Sequence, residues 1–173
     1  MRRAKRNRAF TLVELLIVII IVGILAAVAI PQFGSSSNDA KLAALDADLA
    51  AVRNAIELYF HQHSGAYPGV VKQHDGVAHT TTADAFVKQL TMYSNAGGNT
   101  SATKDTTTYP YGPYLRRGFP TNPLAASGVS DATSVLVGTE ATAITGEASP
   151  TAAWRVSSAT GQFVANNTDY DDR

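Results

Sequence analysis

The stretch FTLVELLIVIIIVGILAAVAIP, which runs from Phe10 to Pro31, decides the fold of this chain. It places 21 residues before the proline, and only one of them, Glu14, is charged. A helix of that length reaches about 30 Å at ~1.5 Å per residue, which is enough to cross the apolar core of a bilayer. Because a carboxylate in such a segment is energetically costly, Glu14 is a candidate functional residue.

The charged residues are divided unevenly along the chain. The 173 residues include 14 basic and 14 acidic side chains, but five of the basic ones lie in residues 1–9. Residues 10–173 therefore carry 9 basic and 14 acidic side chains, a net charge of −5. This acidic remainder argues against nucleic acid as the main partner, since phosphate contacts need clustered Lys and Arg. A basic end before an apolar segment instead indicates a membrane, with the basic end on the cytoplasmic side.

Several classes of chemistry are excluded by composition and motifs. The chain has no cysteine, which rules out thiol catalysis, cysteine-ligated zinc and iron–sulfur clusters. The sequence shows no P-loop, G-x-S-x-G or H-E-x-x-H motif, so we predict that the protein is not an enzyme and holds no cofactor. His61 and His63 are two residues apart, on different faces of a helix, and are not expected to share a metal ion.

Three explanations compete for the apolar stretch: an ordinary secretory signal, a permanent single-span anchor, or a cleaved leader with a retained helix. Ala27, Val28 and Ala29 fit the small-residue site of an ordinary signal. Cleavage there would place Pro31 second in the mature chain, and it would leave Glu14 without a purpose. Both features count against the ordinary signal.

The residues around Ala9 carry a family resemblance. A basic leader, a small residue at Ala9, the run F-T-L-V-E from Phe10 to Glu14 and then an apolar helix resemble the class III signal of type IV pilins and type II secretion pseudopilins. The resemblance implies cleavage by a prepilin peptidase between Ala9 and Phe10, followed by N-methylation of Phe10. Ala9 departs from the glycine that is usual in the family. Pro31 falls where the family commonly has a helix-bending proline.

The resemblance also implies how subunits assemble. In the family, the carboxylate that corresponds to Glu14 pairs with the terminal amine of a neighbouring subunit, here the amine of Phe10. From the residues alone, Glu14 could also pair with the Phe10 amine of its own helix or reach the lipid headgroups. The implied partners are other copies of the chain, a prepilin peptidase, and an assembly platform protein with its ATPase machinery. The implied location is the bacterial inner membrane as a single-pass precursor, then a periplasmic or extracellular filament.

Beyond Pro31, the spacing of apolar residues predicts that the helix continues. Apolar residues recur in steps of three and four on one face, which is typical of an amphipathic helix packed against a sheet. The stripe consists of Leu42, Leu45, Leu49, Val52, Ile56 and Tyr59. The helix is expected to run from Phe10 to about His63, with a bend near Pro31, and to stop at the Gly and Pro residues of 64–69.

The remainder predicts a small head of the α+β class. Thr82 is expected to cap a short helix, and residues 94–108 are expected to form an exposed polar loop. Strands are predicted at 134–138, 153–157 and 162–165, with Thr160 and Gly161 as a hairpin turn. Together they predict a pilin-like fold in which a long bent helix packs on an antiparallel sheet of three or four strands. Trp154 and Phe163 are expected in the core.

Four divisions follow from these patterns. They are a cleaved basic leader (1–9), a hydrophobic membrane and filament-core helix (10–33), the amphipathic half of that helix (34–63) and a globular head (64–173). Asp169, Asp171 and Asp172 are calcium candidates, because major pseudopilins often bind calcium in C-terminal loops; the alternative is a solvated tail. The alternative to a filament subunit is a membrane-anchored or secreted binding domain or enzyme that does not polymerise.

Overall fold

The structure is a computed structural model that describes residues 10–173, and for residues 28–35 it describes the backbone alone. The predicted leader, including Ala9, lies outside the described residues. The chain divides into two compact units, of which the first ends at Ala40 and the second covers Lys41–Arg173.

One helix, α1 (Leu12–Gln62), enters both units and contains 51 residues. Its backbone is helical at Pro31, and the predicted bend at that position stays a prediction. The helix stops where the sequence indicates, because Ser64 and Gly65 adopt left-handed backbone angles (φ 57° and 80°) and the Gly65 N–H donates to the carbonyl of Phe60. The predicted helix is thus confirmed to within two residues at each end.

The amphipathic stripe of α1 forms the base of the core in the second unit. Leu45, Leu49, Val52, Ile56 and Tyr59 are each at most 2% exposed. Their steps of three and four bring them onto one helix face, which packs against aromatic and aliphatic residues of the head. The stripe is therefore confirmed as the face of α1 that is buried within the subunit.

The short helix α2 (Thr82–Thr91) begins one residue earlier than predicted. Its cap is Thr81, which has extended backbone angles and whose hydroxyl accepts the N–H of Asp84 at 3.0 Å. The prediction that Thr82 is the cap is wrong, because Thr82 is already the first helical residue and Thr81 makes the capping hydrogen bond. Phe86 and Leu90 of α2 are fully buried in the core.

A four-stranded sheet that the sequence did not indicate follows α1. Its strands are β1 (Gln73–His74), β2 (Val77–Ala78), β3 (Tyr93–Ser94) and β4 (Thr100–Ser101), in the spatial order β2-β1-β4-β3. Strands β1 and β4 pair in parallel, and the other two pairs are antiparallel. The predicted exposed loop at 94–108 is wrong for its first part, because β3 and β4 bury Ser94, Thr100 and Ser101.

A second, three-stranded sheet contains the predicted strands. They are β5 (Val135–Gly138), β6 (Trp154–Ser157) and β7 (Phe163–Ala165). Strands β6 and β7 form the predicted antiparallel hairpin, but β5 pairs with β6 in parallel, so the antiparallel prediction is wrong for that pair. A parallel pair needs a connection long enough to bring the chain back to the end of the sheet at which the first strand began, and the 15 residues between β5 and β6 are sufficient for this.

Trp154 and Phe163 lie on this sheet and are fully buried, with ring centroids 5.1 Å apart. Their predicted place in the core is confirmed. The α+β class is confirmed as well: one long N-terminal helix is followed by small, mainly antiparallel sheets.

Candidate assembly site at the start of the long helix

The first turn of α1 is closed by a reciprocal pair of side chains, Thr11 and Glu14. The Thr11 N–H and hydroxyl both donate to Glu14 Oε2, at 2.9 and 2.8 Å, and the Glu14 N–H donates to Thr11 Oγ1 at 3.2 Å. This is the capping box that a Thr followed three residues later by Glu forms at a helix N-terminus. It holds the Glu14 carboxylate over the first turn. The signal for this cap, T-L-V-E, is visible in the sequence, although no role was predicted for Thr11.

The segment from Phe10 to Leu25, which contains this capping pair, exposes its large apolar side chains on all sides of the helix. Each of its large apolar residues is at least 46% exposed, and Phe10 reaches 82%. A helix that is apolar all round is stable only when other helices or lipid surround it. These residues are Phe10, Leu12, Val13, Leu15, Leu16, Ile17, Val18, Ile19, Ile20, Ile21, Val22, Ile24 and Leu25.

In the described part of the chain, no helix combines the length and the apolarity that a membrane span requires.

Glu14 is the one ionisable side chain within this apolar surface between Phe10 and Leu25. Both Thr11 donors reach Oε2, and no donor from the described residues reaches Oε1. A cation that approaches the start of the helix can therefore bind Oε1 while the cap stays formed. In apolar surroundings such a pair is strongly favoured over either charge alone.

The other predicted site residues take no part in this capping pair. Ala9 is outside the described residues, and Pro31 is described only as part of the helical backbone. In the C-terminal segment, Asp171 accepts the N–H of Gly146 at 2.6 Å, and Asp169 and Asp172 are exposed. Within the described ranges, no three His, Asp or Glu side chains are placed to hold a metal ion. Calcium binding by the three aspartates stays a prediction.

Of the two histidines at the end of α1, His63 packs in the head. His63 is 2% exposed, stacks on Tyr59 with ring centroids 3.6 Å apart, and contacts the carbonyl of Tyr59 at 2.8 Å and Ser94 Oγ at 3.1 Å. Burial lowers the pKa of His63. The sequence analysis missed this role, although His63 follows Tyr59 by four residues and so continues the buried stripe. His61 is exposed on another face, as its spacing predicts.

Comparisons with known proteins show what the N-terminal part of the chain is similar to. Residues 4–30 match the family model described as "Prokaryotic N-terminal methylation motif". The chain is 47% identical over 60 residues to the type IV narrow pilus major component PilA5 of Thermus thermophilus, covering 35% of this chain and 52% of that protein. It is 36% identical over 55 residues to the type II secretion system core protein G of Pseudomonas aeruginosa, covering 32% and 39%.

A longer match extends into the head. Over 101 residues the chain is 32% identical to fimbrial protein Q of Moraxella bovis, which covers 56% of this chain and 63% of that protein. The matched segments thus span from about two fifths to just under two thirds of these relatives. No solved structure matches the chain. The N-terminal part of the chain thus carries the methylation motif and is similar to type IV pilins and to the type II secretion system core protein G.

Proposed function

We propose that this protein is a structural subunit of a type IV pilin-like filament, either a type IV pilus or a type II secretion pseudopilus, that polymerises through the first part of α1. The observation that carries the proposal is the helix surface itself. It exposes apolar side chains on all sides and includes a single carboxylate held at its start. Several such helices packed side by side would bury that surface, and relatives of both filament types support the same role.

The proposed assembly begins with cleavage between Ala9 and Phe10 by a prepilin peptidase. Cleavage removes the basic leader and creates a cationic amine at Phe10, which N-methylation leaves cationic. The amine of one subunit then pairs with Glu14 of its neighbour. Because an unpaired charge among apolar side chains is strongly disfavoured, only the register that matches each amine with a carboxylate is stable.

The same proposal gives the partners and the location. Before assembly the subunit is anchored in the bacterial inner membrane through α1. An assembly platform protein and its ATPase machinery then add it to a periplasmic or extracellular filament. The role is structural, and no catalytic step is assigned to the chain.

Filament yield from Glu14 variants tests the pairing. Glu14→Gln keeps an oxygen that can accept the Thr11 hydrogen bonds but removes the charge, so we expect sheared filaments to fall at least ~10-fold while the membrane-bound pool persists. The matched control is Asp39→Asn, which neutralises another exposed acid of α1 and should leave the yield unchanged. Normal filaments from Glu14→Gln would refute the pairing.

Mass spectrometry of the mature chain tests the processing. We expect an N-methylated Phe10 as the first residue. A chain that begins at Ile30 would instead indicate an ordinary secretory signal, and it would favour a secreted binding domain or enzyme that does not polymerise.

A further inference from the structure

The C-terminal segment is attached to one flank of α1 within the second unit. Arg173 donates to both carboxylate oxygens of Asp46, at 3.0 and 2.9 Å. Arg53, two turns further along the same flank, donates through Nε to the carbonyl of Phe163 at 3.0 Å and through its guanidinium to the carbonyl of Arg173. These bonds fix the segment, and Asp169 and Asp172 stay exposed beside them. We call residues 169–173 the acidic tail.

A groove with the opposite charge balance lies beside another part of the helix. It has a volume of about 490 Å³ and is bounded by Asp48 and Ala51 of α1 and by the loop 114–121. Two adjacent arginines of that loop, Arg116 and Arg117, are exposed, and neither forms an ion pair with a described residue. Its lining thus includes two arginines and one aspartate. We call this groove the arginine groove.

The arginine groove is fixed to the core and does not depend on its arginines for its shape. Tyr114 donates through its hydroxyl to Gln62 Oε1 at 2.7 Å, and the N–H groups of Tyr114 and Leu115 both donate to the carbonyl of Leu90. Phe119 packs its ring edge on Phe86, with centroids 5.8 Å apart. Substitution of the two exposed arginines should therefore leave the fold intact.

The acidic tail and the arginine groove lie on opposite flanks of α1. Asp46 and Arg53 are seven residues apart and so share one direction, whereas Asp48 and Ala51 lie roughly 140–160° away from Asp46 around the helix axis at ~100° per residue. Two complementary surfaces that face apart cannot pair within one subunit. A contact between different surfaces on successive copies is heterologous, and repetition of such a contact builds an open helical array.

We propose that the arginine groove of one subunit binds the acidic tail of the adjacent copy in the filament, with Arg116 and Arg117 paired to Asp169 and Asp172. This contact rests on the proposed function, since exposed ion pairs are weak and act only between heads that the helices already hold close together. The contact would fix how neighbouring heads are oriented, which the packing of the apolar helices does not specify.

A charge exchange in the full-length chain tests the contact. Arg116→Glu with Arg117→Glu, and separately Asp169→Arg with Asp172→Arg, should each lower the yield of sheared filaments several-fold by placing like charges together. All four substitutions in one chain should restore most of the yield. The matched control, Lys72→Glu with Lys104→Glu, makes the same charge change at two exposed lysines elsewhere and should assemble normally.

Each outcome separates this contact from the filament itself. Unchanged yields from both charge-reversed chains, or no recovery in the exchanged chain, would overturn the contact while the filament proposal stands. Equal losses in the lysine control would also overturn it, because the effect would then be one of net charge. If the unaltered chain forms no filaments, both proposals are wrong.

The absence of cysteine allows a direct second measurement. A chain with Arg117→Cys and Asp172→Cys should form a ladder of disulfide-linked multimers when its filaments are oxidised, since each copy then contributes one cysteine to each of two neighbours. Either single variant should stay monomeric on a non-reducing gel. Dimers from a single variant, or no ladder from the double variant, would contradict the heterologous arrangement.

Discussion

Gly161 lies against the ring of Tyr67, a residue far from it in sequence. Its replacement by alanine should therefore lower the free energy of unfolding more than replacement of a glycine that has no close neighbour. The residue lies in the turn between β6 and β7 with φ near 72°, and its N–H donates to the carbonyl of Ser157 at 2.9 Å. A Cβ atom placed there would come within 2.2, 2.5 and 2.8 Å of three ring atoms of Tyr67. Tyr67 cannot simply turn away, because its ring stacks on Phe60 with centroids 4.4 Å apart.

The expected magnitude has two parts. A Cβ in left-handed backbone costs about 1–2 kcal/mol, of which about 0.4–1 kcal/mol is offset by the reduced freedom of the unfolded chain. Overpacking against a fixed ring adds about 1–3 kcal/mol. Gly161→Ala should therefore lower the free energy of unfolding by about 1.5–4.5 kcal/mol. Gly76→Ala, at φ 84° with no atom within 4 Å of its Cβ, should show the backbone part alone, about 0.5–1.5 kcal/mol.

The assay is urea unfolding of the full-length chain in detergent, followed by the fluorescence of Trp154, which is the only tryptophan and is fully buried. Removal of the ring should relieve the clash, so Gly161→Ala should cost less in a Tyr67→Ala background than in the unaltered chain. The reasoning would be refuted by equal losses for Gly161→Ala and Gly76→Ala, or by strictly additive effects in the double variant.

Two further predictions concern the head. Burial lowers the pKa of His63 in the folded state, so the unfolded chain binds more protons than the folded chain as the pH falls below about 6.5. The contribution of His63 to the free energy of unfolding should therefore be complete above that pH and decline toward pH 5. His63→Gln should flatten this decline, whereas His61→Gln, at an exposed position, should not. A denaturation series over that pH range checks this, and an unchanged slope in His63→Gln would contradict it. Thr81→Ala should destabilise the head by about 1 kcal/mol through loss of the α2 cap, while Thr82→Ala should be nearly neutral; comparable losses from both would show that the cap is not at Thr81.

The sequence predicted secondary structure best where a periodic apolar pattern was followed by a residue that ends the element. The stripe from Leu45 to Tyr59 and the stop at Gly65 carry independent physical signals, a spacing and a backbone requirement, and both were confirmed. The hairpin between β6 and β7 was predictable for the same reason, since apolar residues flank the turn at Gly161. The pairing of β5 with β6 was not predictable, because alternation within a strand reports its buried face and not the direction of its neighbour.

The four-stranded sheet shows a different limit. Its strands contain two residues each, too few for any period to appear, and its buried members are polar. Thr100 is buried because its hydroxyl meets His74 Nδ1 at 3.2 Å and His79 Nε2 at 3.4 Å, contacts that exist only once the chain has folded. From the sequence alone, a threonine whose hydrogen-bond partners lie more than 20 residues away is predicted as an exposed loop residue. The capping pair of Thr11 and Glu14, by contrast, is local and could have been predicted.

The burial of apolar side chains and the pairing of Glu14 with a neighbour's amine contribute differently to the proposed assembly. The large apolar side chains of the first unit are roughly half exposed. Burial of this exposed surface would contribute about 1 kcal/mol per side chain, or about 10–20 kcal/mol in all. That gain is largely absent if the subunit leaves a bilayer for a filament, because lipid tails are as apolar as leucine.

Between those two environments, Glu14 is the side chain in the apolar segment whose surroundings change most, since a bilayer offers it headgroups and water whereas a filament offers it a neighbour's amine. In the proposed assembly, the apolar surface would therefore keep the subunit out of water, and the carboxylate would determine which copy it binds and in which register. Weak pairs between heads, such as those proposed for the arginine groove, can then orient subunits that the helices have already brought together.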